Sequence, residues 1–163
     1  MDLQNEATLQ KSIEHTLASQ RFGVLTTEGR GQPYASLVAF ADTGSLNGIL
    51  FVTGRATRKF LNMQSNSKVA ILVDSRSGNE ADVANAIAVT ALGTVHETSV
   101  AERGKMVPLY ICKHPSLEDF ANASDNALML VDVAEFYLAS FNRTWRLELK
   151  HGNLDQGLHL GPE

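Results

Sequence analysis

The chain has 163 residues, a net charge of -4, 44% hydrophobic residues and 20% charged residues. That length suits one globular domain with a real core, and the acidic balance argues against a general nucleic-acid binder. The one cysteine, Cys112, excludes an intrachain disulfide and suits a reducing compartment.

The N-terminus, Met1 to Glu6, is polar and acidic, unlike a signal peptide. No apolar run reaches bilayer length, so a cytoplasmic protein with no membrane partner is expected. From Thr8 to Gln20, Leu9, Ile13 and Leu17 recur at helical spacing and mark one apolar stripe. The texture then changes. Phe22 to Thr27 has strand composition, Glu28 to Gln32 is a turn, and Pro33 to Phe40 is a second strand with its proline at the tolerated first position. Asp42 to Gly48 is another turn, and the apolar strand Ile49 to Thr53 follows. Such short connections imply an antiparallel meander.

A short amphipathic helix is expected over Arg58 to Asn66. After it, Lys68 to Asp74 is an apolar run that should be buried on both faces. Ser77 to Asp82 is a loop, and Ala86 to Glu97 is a long strand in which Gly93 predicts a bend or bulge. Ser99 to Glu102 fits a capping box and opens a helix to about Leu109, which Pro108 should end or kink. Another short helix starts at Ser116. Asn126 to Val133 is a strand, Glu135 to Phe141 continues or repeats it, and Thr144 to Leu149 alternates as a further one. About six or seven antiparallel strands against three or four short helices favour a closed barrel, because closure removes exposed edges. The chemistry-bearing domain is read as residues 1–150, and residues 151–163 as a mobile tail.

The stretch Thr53-Gly54-Arg55-Ala56-Thr57-Arg58-Lys59 lies where a buried strand meets a helix. Thr57 is a good N-cap residue. The following N–H groups would lack intrahelical partners, and they join three cations at the positive end of a helix dipole. That combination suits an anion, most naturally a phosphate. It is neither a P-loop nor a dinucleotide fingerprint, since the required glycines are missing. The five histidines show no metal spacing, Ser36 has no identifiable base, and Cys112 reads as a small core residue. No metal is expected, and no catalytic residue can be named.

The order of these motifs resembles the FMN-binding split β-barrel family typified by pyridoxamine 5'-phosphate oxidase. Four stretches carry the resemblance: Phe22 to Thr27, Gly31 to Val38, Phe51-Val52-Thr53 followed by Thr57-Arg58-Lys59, and Gly93-Thr94-Val95-His96-Glu97. It implies a mainly β, antiparallel split barrel with short helices. It implies FMN with its phosphate on Thr57, Arg58 and Lys59. Ser36, Leu37 and Val38 would run along the isoalloxazine edge with backbone groups, and Thr53 would lie under the ring or ribityl chain. It further implies a homodimer with FMN at the interface, to which Trp145 of the second copy is the candidate contributor.

The departures are equally specific. Ser36 and Ala41 stand where the oxidase carries a basic residue for its substrate phosphate, and Ala88 stands where it has a glutamine. The vitamin B6 site is therefore read as lost. Two functions remain open. One is an FMN-dependent oxidoreductase acting on an unidentified small molecule with NADH or NADPH as electron donor. The other is a carrier of flavin, or a haem binder using a histidine such as His96 or His114.

Overall fold

The computed structural model describes residues 5–149; the expected tail and the far edge of the 1–150 domain lie outside them. Helix α1 (Glu6–Ser19) is capped by Asn5, whose side chain accepts from the Ala7 N–H at 2.9 Å, and it buries Leu9, Ile13 and Leu17. Strands β1 (Phe22–Gly29), β2 (Gln32–Asp42) and β3 (Gly48–Gly54) form the expected meander. Then come α2 (Arg58–Ser65), β4 (Lys68–Asp74), α3 (Asp82–Asn85) and β5 (Ala88–Glu97). The chain continues through α4 (Val100–Lys113), a 3-10 turn at Pro115–Leu117, α5 (Glu118–Asn122), β6 (Asn126–Ser140) and β7 (Arg143–Glu148).

The neighbour order is β3-β2-β1-β4-β5-β6-β7, and β3 also pairs with β6. That second pairing closes six antiparallel strands into a barrel and leaves β7 outside it. Strand β6 makes this possible by its length. Its first half pairs with β3, from Gly54↔Asn126 to Gly48↔Asp132, and its second half pairs with β7. One residue, Ala134, is inserted where the register with β5 shifts between Leu92 and Gly93. Gly93 is required at that bulge because a Cβ there would collide with the Asp132 carbonyl.

Two apolar clusters follow from this topology. Inside the barrel, Leu25, Val38, Phe40, Phe51, Ile71, Val89, Phe136 and Leu138 pack with α1 closing one end. Outside it, Leu50, Val52, Leu128 and Leu130 on β3 and β6 are covered by Tyr110 of α4 and Ala121 of α5. Strand β3 is therefore buried on both faces. Strand β4, expected to be so, alternates instead between buried and half-buried positions. The apolar run alone could not tell which strand would receive a second layer.

Three other expectations are corrected. Helix α4 does not end near Leu109; it runs through Pro108 to Lys113. The helix end is pinned by tertiary bonds, Lys113 Nζ to the Leu17 carbonyl at 2.7 Å and Arg21 Nη1 to the Lys113 carbonyl at 2.6 Å. Cys112 is exposed, not a core residue, because the buried stripe of that helix falls on Tyr110. The loop expected over Ser77 to Asp82 leads into α3, a single helical turn.

Candidate functional site

Strands β2 and β3 pair only at Phe40↔Phe51, Ala41↔Leu50 and Asp42↔Ile49. Beyond Phe40 they part, β2 continuing against β1 and β3 against β6. The barrel is split there, and alternate backbone N–H and C=O groups of β2 between 32 and 39 have no strand partner on the β3 side. A groove of about 320 Å³ opens at the split. Leu37 to Ala39 form one bank, and Val52, Thr53 and Gly54 the other. Thr57 and Lys59 lie at one end, while Tyr110, Leu117 and Phe120 make an apolar wall.

The Thr57 end is built by local chemistry. Thr57 is the N-cap of α2: its hydroxyl accepts from the Phe60 N–H at 3.4 Å and donates to the Gly54 carbonyl at 2.8 Å. Its one proton is thereby used, so Thr53 is the donor in the 3.0 Å contact between the two hydroxyls. The Leu61 N–H bonds back to the Thr57 carbonyl at 3.1 Å. Among the described residues, the N–H groups of Arg58 and Lys59 have no acceptor.

The charge at this helix end is unusual. The first turn of α2 contains Arg58 and Lys59 and no acid, although the helix dipole disfavours cations there. Neither makes an ion pair among the described residues. Arg58 stacks on the Tyr34 ring, its guanidinium carbon 4.6 Å from the centroid. Two free N–H groups and two uncompensated cations are what a bound anion would balance. Arg55, the third cation of the stretch, is not free for this. Its guanidinium donates to the carbonyls of Ser124 at 2.6 Å and Asn126 at 3.2 Å, and to Glu97.

The other expected residues are placed as follows. Leu37, Val38, Thr53, Thr57 and Lys59 line the groove. The Leu37 side chain stands out from β2, 67% exposed, whereas that of Val38 points into the barrel and only its backbone can reach a ligand. Ser36 lies at the split edge, and its Oγ is buried without a hydrogen-bond partner among the described residues. Arg58 borders the groove from α2 without lining it. Trp145 packs against the barrel core from β7 and does not line the groove of its own chain.

Tyr110, Leu117 and Phe120 were not anticipated as site residues. Nothing in the spacing of α4 and α5 says which strand they will cover. The Tyr110 ring is buried, and burial pushes its phenol up to about 12, so it stays protonated at neutral pH. Its hydroxyl makes no hydrogen bond among the described residues and is an available donor. Neither histidine considered as a haem ligand is free. His114 is buried, with Nε2 at 2.8 Å from the Phe40 carbonyl. His96 on β5 lies 3.2 Å from Asp132 and 3.9 Å from Glu102.

Fold and site together define a class: an antiparallel split barrel with a groove at its split and unpaired cations at the groove's edge. The pyridoxamine 5'-phosphate oxidase family model matches residues 9–139, and the chain belongs to that family. Solved structures agree in fold. A heme binding protein from Mycobacterium smegmatis superimposes with a TM-score of 0.74 at 16% identity, covering 83% of this chain and 56% of its own. Campylobacter jejuni ChuZ gives 0.76 at 14% identity, covering 89% and 61%. An FAD-binding protein from Mesorhizobium loti gives 0.63 at 14%, covering 78% and 91%. The chain thus spans little more than half the length of the first two. No curated protein matches it by sequence.

Proposed function

We propose that the protein binds FMN in the split-barrel groove as a homodimer and uses it to oxidise or reduce a small molecule. The observation that carries this reading is the uncompensated positive charge on the first turn of α2, next to a groove with an apolar wall. A molecule with one terminal phosphate and a flat ring fits both. Arg58, Lys59 and their N–H groups would hold the phosphate, Thr53 would lie beneath the ribityl chain, and the unpaired edge of Ser36 to Val38 would face the ring. The Tyr110 hydroxyl adds a donor at the apolar wall. FMN supplies hydride and electron transfer when bound; the protein orients it and keeps water away.

A second copy of the chain would cover the exposed Leu37 and Phe120 beside the groove, with Trp145 of that copy as a candidate contact. Leu37→Glu is the substitution that tests this face, since Val38 is inside the core; it should convert a dimer to a monomer in light scattering. The described residues contain no helix long and apolar enough to cross a membrane, and an exposed unpaired Cys112 suits a reducing cytoplasm.

Pyridoxamine phosphate is not the expected substrate, because Ala41 is buried and neutral where a cation would be needed. The haem reading, which one neighbour's name also carries, has less support: His114 and His96 are both engaged, and neither lines the groove. The test of the oxidoreductase reading is anaerobic reduction of protein-bound FMN by NADH or NADPH. Reduction faster than that of free FMN is expected. An equal rate would make the protein a flavin carrier.

A further inference from the structure

The groove has a cationic end and an apolar wall on different segments, and one side chain joins them. Arg55 sits in the loop between β3 and α2, two residues before the cap Thr57. Its backbone N–H donates to the Asp125 carbonyl at 3.1 Å. Its Nη1 reaches the carbonyls of Ser124 at 2.6 Å and Asn126 at 3.2 Å, and its Nη2 meets the Glu97 carboxylate at the end of β5. Asn126 in turn donates from Nδ2 to the carbonyl of Phe120, 2.8 Å away, and Phe120 is part of the apolar wall. A continuous chain of hydrogen bonds therefore runs from the anion loop through Arg55 to the loop 123–126 and on to α5.

The residue type fits this task and not ligand binding. A guanidinium presents donors from several nitrogens in a rigid fork, which spans carbonyls and a carboxylate on different segments; an ammonium must bond them all from one nitrogen. With three of its five N–H donors used and Glu97 balancing its charge, Arg55 is committed to its own loop contacts before any anion arrives. Arg58 and Lys59 have no such partners. Three cations of one heptapeptide are thus divided between one that braces the loop and two without an ion-pair partner among the described residues, of which Lys59 lines the groove.

We propose that Arg55, with Glu97, is a positioning residue of the cofactor site: it holds the anion loop at a set distance from the Phe120 wall, so that both grip one ligand. The proposal rests on the FMN reading above. A brace of this kind matters most for a ligand that touches both, and less for one that lacks the phosphate.

The test is fluorescence titration of apoprotein with FMN and with riboflavin, for wild type, Arg55→Met, Arg55→Lys and Glu97→Gln, alongside thermal unfolding of each apoprotein. Arg55→Met should weaken FMN about tenfold and riboflavin far less, on the scale of a lost charge-assisted hydrogen bond. Lysine should not rescue it. Glu97→Gln should act in the same direction, and the Arg55→Met, Glu97→Gln double variant should be no worse than Arg55→Met alone, as expected of residues acting as one unit. Unchanged FMN affinity in Arg55→Met overturns the proposal and leaves FMN binding intact. Equal losses for FMN and riboflavin also overturn it, since they mark a general loosening of the fold. If the wild type binds no FMN, the flavin reading falls, and the brace is then judged with inorganic phosphate. A phosphate-dependent rise in Tm that Arg55→Met abolishes supports it; an equal rise in both proteins, or none in the wild type, overturns it.

Discussion

Strands β3 and β4 have the same length and are similarly apolar, yet they live in different surroundings. Strand β3 is buried from Gly48 to Thr53 because α4 and α5 lie over its outer face. Strand β4 alternates, with Val69, Ile71 and Val73 inside the barrel and Ala70 and Leu72 half-covered outside. The site forms on the two-layered side. A barrel wall with one covered face yields only stability, whereas a second layer that stops short of the split leaves a groove between wall and cover. Strand β2 makes the same point within one element: Val38 and Phe40 face the core, while Leu37 and Ala39 face the groove.

The largest effect should come from the layering itself. Leu50 lies on the outer face of β3, fully buried in the second cluster. Leu50→Ala should cost about 4 kcal/mol in urea unfolding, within the range for a buried leucine. Leu72→Ala, on the outer face of β4, should cost less than about half of that. Equal losses would mean that the two strands are not differently covered in solution.

Next in size is the pair of cations beside the groove. Arg58→Ala combined with Lys59→Ala should weaken FMN binding about a hundredfold, roughly 3 kcal/mol for two charge-assisted contacts. Thermal unfolding of the apoprotein should not fall, because those cations stand at the disfavoured end of a helix dipole. Wild-type affinity in the double variant would move the phosphate elsewhere.

The smallest effect belongs to Tyr110. Tyr110→Phe removes a hydroxyl that no described residue uses, so stability at neutral pH should be unchanged and FMN affinity should fall roughly threefold to tenfold. The alkaline limb sharpens this. Burial raises the folded-state phenol from 10.0 to about 12, so its contribution is full below pH 10 and is lost as pH rises toward 12. Tyr110→Phe should therefore resist alkaline unfolding better than the wild type; identical limbs would mean that the phenol is not buried.

Much of this was legible in the chain. The succession of strands along the chain, the Ser99–Glu102 capping box, the bulge at Gly93 and the cap at Thr57 all rest on local chemistry: turn residues, side-chain acceptors and the room a Cβ needs. What could not be read depends on contacts between distant segments. The helix at Ser99 was expected to reach about Leu109, with Pro108 ending or kinking it, but α4 continues to Lys113, which is held by α1 from nearly a hundred residues away. Arg55 was counted with Arg58 and Lys59, and only the approach of Ser124, Asn126 and Glu97 separates it from them. Tyr110 and Phe120 carried no motif; they became groove residues when α4 and α5 covered β3.

The central claim is that the cradle on α2 holds the single phosphate of FMN. It is tested most directly by denaturing the purified protein, after incubation with a mixture of FMN and FAD and removal of unbound flavin, and identifying the released cofactor by mass spectrometry. FMN in near-stoichiometric amount is the predicted result. Release of FAD, or of no flavin at all, would contradict it.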